Sequence, residues 1–181
     1  MSSATYKPAL IIIDLQVAMF EENGLEGGPI YRSKEIIANT QSLLAWARKH
    51  NYPVAFIRHD GDGGFVPQLP SWIIEPQLSQ RESEPTFAKN VPSAFSNPAL
   101  LDWVNSNNVT EVVLAGAQTD FCVNGTTLGA LQLGLKVTVV GDAHSTRDEW
   151  NGPLTAAQLI DEYNQKYREA GAAVVDTSSF I

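Results

Sequence analysis

One cysteine among 181 residues excludes an internal disulfide, so the fold must rest on a buried core, and a reducing compartment suits it. Cations are scarce as well: 12 Lys and Arg stand against 20 Asp and Glu, for a formal net charge of −8. Nucleic-acid binding relies on clustered cations that neutralise phosphates, so this balance points away from a nucleic-acid partner and toward small molecules. No stretch reaches the roughly 20 consecutive apolar residues that span a bilayer, and Met1–Pro8 lacks the apolar segment of a signal peptide. Both absences predict a cytoplasmic protein with no membrane partner. A Gly-x-Gly-x-x-Gly turn is missing after the first apolar run, where the chain reads Asp14-Leu-Gln-Val-Ala-Met19, and this removes a dinucleotide-binding reading.

What is present is a rhythm of short Ile- and Val-rich runs: Ala9–Ile13, Val54–Ile57, Glu111–Ala115, Lys136–Val140 and Ala172–Val175. Continuous rather than alternating apolarity means burial on both faces, as in a parallel sheet covered by helices. Helical spacing fills the gaps. Ile36, Ile37, Thr40, Leu43, Leu44 and Ala47 share a face that Ser33 could cap, and Asn97-Pro98 opens a second helix. Val123, Thr127, Ala130 and Leu131 mark a third helix. Gly152-Pro153 opens a fourth, with Ala157, Ile160, Tyr163 and Tyr167 on its stripe. The alternation predicts one domain over residues 1–181 with a doubly wound α/β sheet, which binds ligands beyond the carboxyl ends of its strands. Residues 60–96, rich in Gly and Pro, read as a long excursion or lid with a short strand at Thr86–Lys89.

Three residues gather at that edge. Asp14 follows the first strand, Cys122 follows another, and Lys89 ends the short one. A carboxylate can accept a thiol's proton, and an ammonium between them can hold the pair ionised. Cys122 is further placed at a helix start, where unpaired amides stabilise a thiolate, with Thr119 or Asp120 as the cap. Taken singly, each residue also has a structural reading: a turn aspartate, a solvated lysine, an inert buried thiol. The joint arrangement favours chemistry.

Ile11-Ile-Ile-Asp-Leu-Gln16, Lys89 with Pro92-Ser-Ala-Phe95, Ala115-Gly-Ala-Gln-Thr-Asp-Phe-Cys-Val123 and Gly141-Asp-Ala-His-Ser-Thr146 together resemble the isochorismatase-like cysteine hydrolase family over nearly the whole chain. The resemblance implies a six-stranded sheet and a catalytic triad of Asp14, Lys89 and Cys122. It also implies a cis peptide between Ala117 and Gln118, which turns the Gln118 amide toward an oxyanion hole shared with the Cys122 amide. Members that cleave the vinyl ether of isochorismate lack the cysteine, whereas this chain keeps it. The expected reaction is therefore hydrolysis of a small amide, ureido or lactam C–N bond through a thioester. The alternatives are C–O cleavage on the same fold or an inactive binding or scaffold protein.

The nicotinamidase branch carries an Asp-x-His-x-x-His cluster where this chain has Arg58-His-Asp-Gly-Asp-Gly-Gly64. One imidazole, His59, with Asp60 or Asp62 falls short of a zinc set, so no metal and no cofactor are expected. Gln16, Phe20, Trp72, His144 and Trp150 are the expected substrate-pocket residues, although His144 is also expected to hydrogen-bond backbone in a turn. A homo-oligomer, dimer or tetramer, is expected by the same resemblance.

Overall fold

The Ile- and Val-rich runs become strands because both faces of each are covered. The computed structural model describes residues 6–24, 28–148 and 152–181. Six strands form one sheet: β1 (Pro8–Ile13), β2 (Val54–His59), β3 (Thr86–Lys89), β4 (Glu111–Ala117), β5 (Lys136–Ser145) and β6 (Ala173–Val175). Their order is β3-β2-β1-β4-β5-β6, and every neighbouring pair is parallel. Alternate residues of β1 serve opposite faces. Leu10 and Ile12 pack with Ile36, Leu43 and Leu44 of α1 (Ser33–Lys49). Ile11 and Ile13 instead join Leu100 and Val104 of α2 (Pro98–Ser106), Ala130 of α3 (Asn124–Gln132) and Tyr167 of α4 (Ala156–Ala170).

Local chemistry sets several element ends differently from the sequence reading. Ser33 is the first residue of α1 rather than its cap; left-handed Arg32 precedes it without a side-chain cap bond. Asn97 caps α2 as expected, accepting from the Ala99 amide. α4 opens at Thr155, whose hydroxyl and Gln158 form a reciprocal capping box, a stronger start than Gly152-Pro153 offers. Its buried stripe is consequently Ala156, Leu159 and Tyr167, one residue off the expected Ala157 and Ile160. β5 runs five residues past Val140, because a register irregularity between Leu114 and Gly116 lets Gly116 pair with His144 and Ala117 with Ser145.

Two features bring β1 and β4 together at the carboxyl edge. Gly116 has φ +138°, and a Cβ there would lie 2.1 Å from the Ile13 carbonyl oxygen, so only glycine permits this approach. Immediately beyond Ile13, Asp14 adopts φ +52°, a left-handed conformation that Asp tolerates better than most residues. Its amide donates to the Ile57 carbonyl and its carbonyl accepts from the Gln16 amide, which aims the carboxylate off the strand axis. Strand order reverses between β1 and β4, where ligand crevices of doubly wound sheets form.

Candidate active site

Lys89 is the centre of the site. Its side chain and that of Asp14 are both fully inaccessible to solvent, with Nζ 2.7 Å from Asp14 Oδ2. The same ammonium lies 3.1 Å from Cys122 Sγ and 3.2 Å from His59 Nδ1. The pairing of β3 with β2 accounts for one of these partners, since Lys89 stands in register with His59. Cys122 comes from a π-helical turn, Thr119–Val123, that joins β4 to α3. The Ala117–Gln118 peptide before that turn is cis.

Burial lowers the basicity of the Lys89 amine, but the charges of Asp14 and Cys122 and its bonds to both outweigh burial and raise its pKa. The thiol responds oppositely to the sequence expectation. Burial and the Asp14 carboxylate, opposed by Lys89, push the Cys122 pKa up to about 12. The turn holding Cys122 is thus too buried, and too close to a carboxylate, for the helix start to dominate. The resting state is a thiol beside a carboxylate and an ammonium, not a preformed thiolate. Asp14 Oδ1 is buried without a conventional donor, and the thiol hydrogen-bonds to this carboxylate.

A cavity of about 260 Å³ opens over the thiol, lined by Asp14, Met19, His59, Asp62, Phe65, Gln118, Phe121, Cys122 and Arg147. Of the expected pocket residues, none of the four that are described, Gln16, Phe20, Trp72 and His144, lines it. Gln16 is fully buried and serves as a strut: Nε2 donates to the His59 and Trp72 carbonyls, and Oε1 accepts from the His59 amide. Phe20 packs against the core under α1 and borders a different hollow. Trp72 donates from Nε1 to Asp60 and lies under the Arg58 guanidinium. Trp150 falls outside the described residues.

His144 sits within β5 rather than in a turn and bonds side chains rather than backbone: Nδ1 to Thr119 Oγ1 and Nε2 to Asn164 Oδ1, both at 2.8 Å. Burial drives its pKa down to about 4. Thr119 and Asp120 do not cap the turn; Thr119 engages His144, and Asp120 accepts from Thr146. Asp60 is bound to Arg58 and Trp72 and Asp62 is at the cavity wall. The set of cation-ligand type that does converge is Asp14, His59 and Cys122, within 4.8 Å of one another, and the Lys89 ammonium contacts all three.

Sequence reading missed Arg147, Phe65, Phe121 and Met19 as cavity walls and His59 as a partner of Lys89. The latter had a signal, because His59 and Lys89 end adjacent strands.

An all-parallel doubly wound sheet with a carboxylate, an ammonium and a thiol at its switch point defines a Rossmann-like three-layer α/β architecture with a candidate hydrolytic site. The Isochorismatase domain family profile matches residues 8–178, and the chain belongs to this family of hydrolases. A crystal structure of an isochorismatase from Pseudomonas putida KT2440 superposes with a TM-score of 0.86 at 31% identity, covering 96% of this chain and 90% of that one. Streptothricin hydrolase of Streptomyces noursei is 30% identical over 142 residues, 77% of this chain but only 50% of that protein. The chain thus spans about half the length of that relative. Maleamate amidohydrolase of Pseudomonas putida KT2440 is 29% identical over 168 residues, 80% of this chain and 77% of that protein. Among the described residues, no helix is long and apolar enough to cross a membrane.

Proposed function

We propose that this protein is a cysteine-dependent amidase that hydrolyses a small amide, ureido or lactam C–N bond through a thioester on Cys122. The observation that carries the reading is the Lys89 ammonium bonded to both the Asp14 carboxylate and Cys122 Sγ, with the thiol proton directed to that carboxylate. Relatives named for amide hydrolysis lend support.

Asp14 removes the thiol proton while Sγ bonds to the substrate carbonyl carbon, and the carbonyl π electrons move onto oxygen. The Gln118 and Cys122 amides hold that oxyanion. Protonated Asp14 gives its proton to the leaving nitrogen, the C–N bond breaks and the amine departs. Asp14 next takes a proton from water as the water oxygen attacks the thioester. The C–S bond then breaks, and Asp14 returns the proton to sulfur, releasing a carboxylic acid. Lys89 keeps its proton throughout and offsets the charge passing between carboxylate and thiolate. The upward shift of the thiol by burial and the Asp14 carboxylate favours this coupled transfer over attack by a preformed thiolate.

A panel of small primary amides, ureido acids and lactams, with acid-quenched intact-mass analysis, tests the reading. The expected result is turnover of at least one member with an acyl adduct on the single cysteine, absent from Cys122→Ala. Cleavage of vinyl ethers with no amide turnover, or amide turnover retained by Cys122→Ala, overturns it.

A further inference from the structure

An ammonium carries three N–H donors, and a buried one left with an unpaired donor is costly. Two donors of Lys89 reach Asp14 and Cys122. Among the described residues the third has one partner in range, His59 Nδ1 at 3.2 Å, and it can bond there only if Nδ1 carries a lone pair. That fixes the tautomer with the proton on Nε2. The His59 peptide is gripped on both sides by Gln16, and its ring meets the edge of Phe65. Gly61 leaves the ring its place: a Cβ at 61 would lie 2.7 Å from Nε2.

We propose that His59 is a positioning residue for the catalytic lysine, its neutral Nδ1 accepting the third ammonium N–H and so aiming the other two at Asp14 and Cys122. This inference rests on the amidase reading for its kinetic arm only. The groups facing the imidazole are Lys89 from β3, Asp14 beyond β1, Cys122 from the turn after β4, and Asp60 and Asp62 on its own segment. Burial first and the Lys89 charge second lower the His59 pKa from 6.5, against Asp14 and Asp60. The ring is accordingly neutral at pH 7. Protonation at lower pH removes the acceptor and sets two cations face to face, so kcat falls on an acid limb below about pH 6.5.

Long-range ¹H–¹⁵N spectra of the three histidines, assigned with His59→Asn, give the first test. The expected pattern is a protonated Nε2 and a bare Nδ1 for His59; protonated Nδ1 overturns the proposal. The spectra need no substrate, so they judge His59 separately from the amide panel that judges the reaction. With an amide in hand, His59→Ala should lose about 10–10²-fold in kcat with little change in KM. His59→Asn, whose amide oxygen can stand where Nδ1 stood, should restore most of that loss and move the acid limb to lower pH. Gly61→Ala, which displaces the ring without deleting it, should lower kcat in the same direction. Wild-type kcat in His59→Ala, or equal impairment in His59→Asn and His59→Ala, overturns the role.

Discussion

One half-buried histidine and one buried one, two hollows and one sheet edge invite comparison. Around Cys122, carboxylate, ammonium, imidazole and thiol converge on a cavity, and among the described residues Asp14 Oδ1 is left without a donor other than the thiol. Around His144, Tyr31, Arg32, Asp142, Asp161 and Asn164 line a hollow of about 250 Å³, yet both ring nitrogens of His144 are already engaged by Thr119 and Asn164. The first group has a proton to move; the second has none to spare. Burial and a shifted pKa occur in both, so neither distinguishes chemistry from support. What distinguishes them is whether the buried group at the centre has a hydrogen-bonding site left unengaged, as Asp14 Oδ1 does and His144 does not. His144 buttresses the nucleophile's turn instead, together with Tyr167, whose hydroxyl donates to the Thr119 carbonyl.

The largest expected difference follows from deleting each centre. Cys122→Ala should lower amide turnover by at least about 10⁴-fold, because the covalent route disappears with the sulfur. Asp14→Asn should cost about 10²–10⁴-fold, the usual worth of a proton-transfer group, and also strand a buried ammonium. His144→Phe should leave a folded enzyme with measurable turnover, since no ring atom faces the Cys122 cavity. Loss in His144→Phe as deep as in Cys122→Ala, with the circular dichroism spectrum intact, would erase the distinction.

The next difference concerns pH. Cys122 and Lys89 both have raised pKa values in the fold. The stability they contribute is full below their unfolded values, 9.0 and 10.5, and is lost as pH climbs toward the folded values. His144 behaves oppositely. Its folded pKa near 4 lies below the unfolded 6.5, so the unfolded chain gains the proton first and stability drops as pH falls from 6.5 to 4, on the order of 3 kcal/mol in total. Thermal melts from pH 4 to 10.5 should show both losses, with Cys122→Ala flattening the alkaline side and His144→Phe the acid side. A melt indifferent to either substitution at its own end would refute the assignment.

How far the two regions could be read in the sequence differs for a physical reason. Asp14 follows one strand directly, Lys89 ends another and Cys122 lies in the turn that leaves a third, so a one-dimensional pattern of apolar runs already delivers them to one edge. β3 was legible despite its loop surroundings because Thr86–Lys89 is bounded by Pro85 and the turn after Asn90. The His144 region was not legible. Gly141-Asp142 reads as a turn, yet β5 continues through it, because pairing with Gly116 and Ala117 resumes beyond the register break and overrides the local preference. Likewise His59 looked like a partner for its neighbours Asp60 and Asp62, whereas its actual partner stands across the register on β3, visible only once strands are paired. Gln16 departs from the expectation for the opposite reason: two residues from Asp14, it spends all its polar atoms on the backbone of His59 and Trp72.

The smallest expected effect tests the boundary of the catalytic cavity. Trp72 occupies the long excursion after β2, stacked 3.8 Å from the Arg58 guanidinium and bonded to Asp60 at 2.8 Å. Arg58 and Asp60 also bond each other, with side chains 26% and 33% exposed, so solvent screens this trio and limits its worth. Trp72→Phe retains an aromatic face for the guanidinium and loses one hydrogen bond, for a cost of about 1 kcal/mol in urea unfolding. Its carbonyl still accepts from Gln16, which keeps the His59 segment in place, and kcat and KM should stay near wild type. A large rise in KM from Trp72→Phe would mean that the excursion folds over the substrate during turnover, and the wall of the active site would then extend well beyond the residues around Cys122.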